Sequence, residues 1–270
     1  MVGSLHETNL MNPIQLLGIP FDANSSFMRG PAEAPAKIRE AFHSDSSNYF
    51  NEFGQNVNDL LNDLGDIPAM VPYQGLSKEI TRVYSPASKW LFLGGDHSVS
   101  YPIIKAISAH HPELSILHLD AHSDLYDELD GNRFSHACPF ARVMEEKFAQ
   151  NLTQVGIRTL NAHQKIQAEK FGVRIISMSQ WAENLTIEIN GPVYLSLDID
   201  VLDPAFAPGI SHYEPGGAST RQLINFLHRH RHLNIIAADL VEYNPRCDVN
   251  NMTAYVGAKL VKELVGVLSS

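Results

Sequence analysis

Asp and His residues fall directly after three apolar runs, where their spacing could hold metal. Leu91-Phe92-Leu93 leads into Gly94-Gly95-Asp96-His97-Ser98. Ile116-Leu117-His118-Leu119 leads into Asp120-Ala121-His122-Ser123-Asp124, and Tyr194-Leu195-Ser196-Leu197 into Asp198-Ile199-Asp200. Side chains at i and i+2 of an extended chain share a face. Asp198 and Asp200 then point together, as do Asp120, His122 and Asp124 while the chain stays extended. With His97 the set is four carboxylates and two imidazoles. Four buried carboxylates without partners are prohibitively costly, and two divalent cations would neutralise them. A set rich in carboxylate and free of thiolate favours Mn²⁺ over structural zinc. Two such ions about 3.5–4 Å apart activate one shared water.

Other motifs fail. Gly94-Gly95 lacks the remaining glycines of a dinucleotide fingerprint and the Lys-Ser/Thr of a P-loop. There is no G-x-S-x-G elbow and no H-E-x-x-H. His228-Arg229-His230-Arg231-His232 reads as a solvated helix end, because i and i+2 do not face each other on a helix. His110-His111 precedes Pro112 and marks a helix terminus. His118, inside an apolar strand, reads as a satisfied core histidine.

The elements that must position these residues are short apolar strands alternating with helical stretches. The clearest strands are Ile14–Ile19, Trp90–Leu93, Leu114–Leu119, Val193–Leu197 and Ile235–Leu240. Fully apolar runs suit parallel strands covered on both faces. Helical signals occupy Pro35–Phe42, Val99–His110, Ala137–Phe148, Gln164–Phe171, Arg221–Arg229 and Thr253–Leu268, with Ser219 and Gln222 as a capping box. The alternation predicts an α/β fold with a mainly parallel sheet, and sites in such sheets gather beyond the carboxyl ends of the strands. No linker, repeat or low-complexity tract appears, so a single domain over 1–270 is expected. The longest loop-like stretches are Phe21–Pro31, Asp120–His136 and Asp200–Gly217.

Composition bounds the partners. The 270 residues are 44% hydrophobic and 19% charged, an ordinary globular mix. Thirty acids against twenty bases give a net charge of −10, which argues against nucleic-acid binding and suits a cationic substrate. The two cysteines, Cys138 and Cys247, form no framework, so a reducing compartment is expected. No apolar run approaches the roughly 18–20 residues of a membrane helix. Met1–Asn12 is polar, without a signal core, so the expectation is a soluble cytoplasmic protein.

The three motifs, with Ser196-Leu197-Asp198-Ile199-Asp200-Val201-Leu202-Asp203-Pro204 as the extended third, resemble the signatures of the ureohydrolase family, which contains arginase and agmatinase. The resemblance runs from Gly18-Ile19-Pro20 and Asn24-Ser25-Ser26 through Arg29-Gly30-Pro31 to Glu242-Tyr243-Asn244-Pro245 and Met252-Thr253-Ala254. Gly131–Ala137 and Ala207–His212 look most like the plant-type arginase branch, close to the agmatinases. The resemblance implies a three-layer α/β/α fold with a central, mostly parallel eight-stranded sheet, of the arginase/deacetylase kind, and two Mn²⁺ per chain. By it, one ion is held by His97, Asp120, Asp124 and Asp198, the other by Asp120, His122, Asp198 and Asp200. It implies that His136 shuttles protons and that Glu242 grips the guanidinium of a small substrate; Asp124, beside the bound hydroxide, is the expected acceptor that aims it. It also implies a homo-oligomer, a trimer or hexamer.

The substrate reading rests on the loop after Asp124. Leu125-Tyr126-Asp127-Glu128-Leu129-Asp130 carries three acids, which beside the site would repel a carboxylate and attract an amine. With Tyr126 and Asp127 as tail contacts, agmatine is favoured slightly over arginine, with other guanidino acids also open. His212 and Glu214, in the next site loop, are further tail candidates. Two other classes remain: a zinc deacetylase with one metal and tandem histidines, and a non-catalytic metal-binding relative.

Overall fold

The computed structural model describes residues 13–270; the reading of Met1–Asn12 lies outside the described residues. Eight parallel strands form one sheet: β1 (Ile14–Gly18), β2 (Leu61–Asp66), β3 (Trp90–Leu93), β4 (Ser115–Leu119), β5 (Asn151–Ile157), β6 (Arg174–Ser177), β7 (Val193–Asp198) and β8 (Ile235–Val241). Their order is β2-β1-β3-β8-β7-β4-β5-β6. The chain leaves β3, skips two places to β4, and fills the gap later with β7 and β8. That reversal opens a crevice beyond the carboxyl ends of the central strands.

Helices α1 (Ala34–Phe42), α6 (Thr220–Arg229) and α7 (Met252–Leu268) cover one face. Ile38, Leu223 and Leu264 pack there against Leu91, Leu195 and Leu240. On the other face α2 (Tyr73–Val83), α3 (Ser100–Ser108), α4 (Pro139–Glu145) and α5 (Ala162–Phe171) contribute Ile80, Ile103, Phe140 and Ala168 to a second core around Phe92, Ile116 and Tyr194. Covering both faces is what makes β3, β4, β7 and β8 wholly buried and largely apolar in sequence. The two layers of helices about one sheet are the three-layer α/β/α arrangement implied by the resemblance.

Among the described residues no helix is long and apolar enough to cross a membrane. The capping box at α6 forms with both bonds, Gln222 N–H to the Ser219 side chain and Ser219 N–H to Gln222 Oε1. Four elements lie outside the segments read from apolar patterning: β2, β5, β6 and α2. β2 and β6 are edge strands. β2 reads Leu-Asn-Asp-Leu-Gly-Asp and is mostly exposed, its Asp63 and Asp66 bound by Arg39. The tract at 228–232 corrects the solvated reading in part. His230 is buried, its Nδ1–H donating to the Phe226 carbonyl at 2.7 Å while Nε2 accepts from Ile187 N–H at 2.8 Å.

Candidate active site

Four adjacent strand ends build the site. β3 runs through Gly94-Gly95 to Asp96 and His97, β8 ends beside Glu242, β7 ends on Asp198, and β4 ends beside Asp120. Gly95 is required: a Cβ there would stand 1.9 Å from the Phe21 carbonyl oxygen. That close pass lets Asp96 N–H bond Phe21 O at 2.9 Å and ties the Phe21–Pro31 loop onto the site. Asp96 completes the tie, accepting from Asn24 N–H at 3.0 Å and Ser25 Oγ at 3.2 Å. Burial, then the Glu242 charge, pushes the Asp96 carboxyl up to about 6.

Local geometry differs from a simple extended chain. Asp124 has φ 49°, the left-handed region, and Asp200 sits in a 3-10 turn over Ile199–Val201 whose N–H is capped by Asp198 Oδ1 at 2.8 Å. The i, i+2 argument thus gives way to turn geometry at two of its members, yet the side chains still meet. His97 Nδ1 lies 3.0 Å from Asp124 Oδ2, 3.1 Å from Asp198 Oδ2 and 3.3 Å from Asp120 Oδ2. His122 Nδ1 lies 2.9 Å from Asp200 Oδ2 and 3.5 Å from Asp120 Oδ1. The structure therefore brings His97, Asp120, His122, Asp124, Asp198 and Asp200 together, and Asp120 touches both imidazoles.

The electrostatics show what the cluster lacks. Burial, then the charges of Asp200 and Asp120, raises the Asp198 carboxyl well above the usual range. Burial and Asp120 push Asp200 up to about 6. Burial also raises Asp120, but His118, His122 and His97 outweigh it and hold it ionised. His97 is fixed from behind. Asp239 on β8 is fully buried and accepts from Ser100 Oγ (2.6 Å), Tyr194 OH (2.5 Å), Ser196 Oγ (2.8 Å) and Leu197 N–H (3.1 Å). Ser196 spends its proton on Asp239, so its oxygen accepts from His97 Nε2 at 3.0 Å. Among the described residues the buried His97 Nδ1 then has no hydrogen-bond partner, and it faces three carboxylate oxygens. Positive charge at that point makes the arrangement favourable, and the donor set of four carboxylates and two imidazoles fits divalent metal.

His118 is the core histidine expected. Its Nε2–H donates to Asp120 Oδ2 at 2.8 Å, and its Nδ1 accepts from Gln154 Nε2 at 3.0 Å. Both nitrogens are engaged, so it orients Asp120 although it lies close enough to Asp120 and His97 to be grouped with them.

Beside the cluster lies a cavity of about 610 Å³ including its open mouth. His136, Glu242, Asp124, Tyr126 and His212 line it, together with Ser26, Thr159 and Gln164. His136 Nδ1 is 2.7 Å from Glu242 Oε1, and the same oxygen accepts from His97 N–H at 2.8 Å. Glu242 has φ 65°, a strained conformation for a long side chain, held by its N–H to Gly95 O at 2.9 Å. Burial lowers the His136 pKa and Glu242 more than offsets it, leaving it at about 9. The His212 ring lies 5.0 Å from that of His136, tilted by 42°, and burial, then the His136 charge, keeps its pKa low.

Two tail candidates are displaced. Asp127 does not line the cavity: its carboxylate is held by Arg142 on α4 at 2.7 Å and by Arg133 at 3.1 Å. Glu214 stays out too, its backbone carbonyl bound by Arg158 at 2.7 Å. Glu128 and Asp130 are exposed. His110 and His111 follow α3, with His111 Nε2 2.7 Å from Tyr84 OH, away from the cavity. Sequence reasoning passed over Asp239, Ser26, Thr159 and Gln164. Asp239 carried a signal, a lone acid inside an apolar strand; Ser26 lay within the Asn24-Ser25-Ser26 stretch of the resemblance without a role, and Thr159 and Gln164, the latter on α5, carried no signal.

The model of the Arginase family matches residues 12–266. Arginase 1, mitochondrial, of Arabidopsis thaliana is 44% identical over 277 residues, covering 94% of this chain and 80% of its own. An agmatinase of Bacillus cereus is 32% identical, covering 93% and 90%. The solved arginase from Medicago truncatula aligns with a TM-score of 0.84 at 38% identity, covering 96% of this chain and 88% of that one.

Proposed function

We propose that this chain, which belongs to the arginase family, is a binuclear manganese hydrolase that converts arginine to ornithine and urea. The observation that carries the reading is the meeting of four carboxylates and two imidazoles at one sheet crevice, in a chain 44% identical to a plant arginase. His97, Asp120, Asp124 and Asp198 would hold one ion, and Asp120, His122, Asp198 and Asp200 the other. When bound, the ions lower the pKa of water and make hydroxide available at neutral pH.

The chain's own residues do the rest. Asp124 accepts a hydrogen bond from the attacking water and aims it. Glu242 Oε1 is taken by His136 and His97, which leaves Oε2 for the guanidinium, a charge-assisted bond. His136, protonated at neutral pH by its Glu242 partner, is the acid for the departing amine.

The slight preference for agmatine is not supported. It rested on three acids beside the site, and the structure pairs Asp127 with two arginines and turns Glu128 and Asp130 to solvent. The cavity wall there carries Tyr126, Thr159 and Gln164, neutral groups that accept an amino-acid end without repelling its carboxylate. Gln164 Oε1 already accepts from Asn161 N–H at 3.2 Å, which leaves its amide hydrogens to donate. The relatives agree: the plant arginase is 44% identical and the agmatinase 32%. The test is kcat/KM for urea release from arginine and agmatine side by side. Arginine is expected to be the better substrate; a higher value on agmatine overturns the substrate assignment.

A further inference from the structure

We propose that the Ser26 hydroxyl is the last link in proton delivery, carrying the His136 proton to the departing amine. This rests on the hydrolase reading above and adds a catalytic residue to it. Both ring nitrogens of His136 are committed, Nδ1 to Glu242 Oε1 at 2.7 Å and Nε2 to Ser26 Oγ at 2.8 Å. With Nδ1 held against a carboxylate, only Nε2 can release a proton, and Ser26 Oγ stands in its path.

Depth in the cavity points the same way. Asp198, Asp200 and Glu242 are buried at the floor, and His136 is 8% exposed, whereas Ser26 is exposed and lines the mouth. A guanidino group enters head first, so its alkylated nitrogen, the one that leaves, lies on the mouth side of the reacting carbon. Ser26 is on that side. The loop that carries Ser26 is also held in place. Asp96 binds Asn24 N–H and Ser25 Oγ, and Asn24 O accepts His136 N–H at 3.1 Å. Imidazole and hydroxyl, 110 residues apart in sequence, are thereby locked together.

The step balances. As the C–N bond breaks, its electron pair stays on the amine nitrogen. The Oγ hydrogen of Ser26 moves to that nitrogen while the Nε2 hydrogen of His136 moves to Oγ, leaving serine unchanged and imidazole neutral. Over a turnover both hydrogens of the consumed water end on the amine, so His136 regains its proton from that water.

The test compares wild type, Ser26→Ala and Ser26→Thr, in urea release and in solvent-deuterium proton inventory. Because Ser26 is exposed, the alanine variant keeps the fold. The lower end of what a positioned proton donor contributes sets the expected loss in kcat for Ser26→Ala at about 100-fold, with KM unchanged. Threonine restores most of it. The wild-type inventory curves, because two protons move together, and becomes linear in Ser26→Ala. Unchanged kcat in Ser26→Ala, a threonine variant as slow as alanine, or a linear wild-type inventory overturns the relay alone. Wild type that releases no urea from arginine or agmatine removes the proposed function and the relay together.

Discussion

Ser196→Ala isolates the buried chain behind His97. Ser196 Oγ accepts from His97 Nε2 at 3.0 Å and donates to Asp239 at 2.8 Å, and all three side chains are wholly buried. Alanine leaves the Nε2–H without a partner and frees the imidazole to turn its Nδ1 from the carboxylates. An orphaned buried donor costs about 1–3 kcal/mol. Removing an outer partner of a metal-ligating histidine weakens metal binding about 10–100-fold, which is about 1.4–2.7 kcal/mol. The first cost weighs on the fold with or without metal, and only the second is specific to metal affinity. The assay is a Mn²⁺ titration against a competing chelator, with urea unfolding of the metal-free proteins as the control. The expected result is one of the two sites weakened about 10–100-fold, while the metal-free variant stays folded and loses no more than about 1–3 kcal/mol. Unchanged affinity at both sites refutes the claim that Ser196 and Asp239 aim His97 at a cation.

Other expectations follow from named contacts. His136→Asn should lose about 10²–10⁴-fold in kcat with metal content intact, since it removes the acid and no ligand; full activity across the neutral to alkaline range removes His136 from the mechanism. Asp127→Asn should leave the ratio of kcat/KM on arginine and agmatine unchanged, because Asp127 lies outside the cavity. It should lower stability by about 0.5–1.5 kcal/mol, measured by chemical unfolding, because the buried Arg142 loses the charge of one acceptor and keeps Glu145 at 3.1 Å. Arg221, with Lys259, holds the Glu52 carboxyl down to about 2. Its stabilisation is therefore present above the ordinary carboxylate range and lost as pH falls toward about 2. Arg221→Ala should shrink the drop in Tm on acidification, by a small amount given the exposure of the pair; an unaltered drop removes this pair from the acid response.

How far the sequence reached depends on whether a residue acts with its chain neighbours or with distant ones. The central strands and the residues after them were legible because burial on both faces forces continuous apolar runs, and because three such runs each lead into Asp or His, a coincidence that capping at single strand ends does not explain. β2 and β6 were not, since an edge strand needs neither two apolar faces nor a long run. β5 was hidden by its polar Gln154, which is buried to serve His118 and Ser123. The error over Asp127 has the same origin. A loop acid looks like free charge until folding supplies Arg142, 15 residues on, as its partner. Ser26 joins His136 only through the fold, and no local pattern announces it.

On the proposed function the six converging side chains hold two metal ions, and arginine hydrolysis requires both. The most direct measurement is a titration of metal-free protein with Mn²⁺, following bound metal by elemental analysis and urea release from arginine in the same samples. The expected result is that metal saturates at two ions per chain and that full turnover appears only as the second site fills. Saturation at one ion, or urea release that survives complete removal of metal, contradicts it.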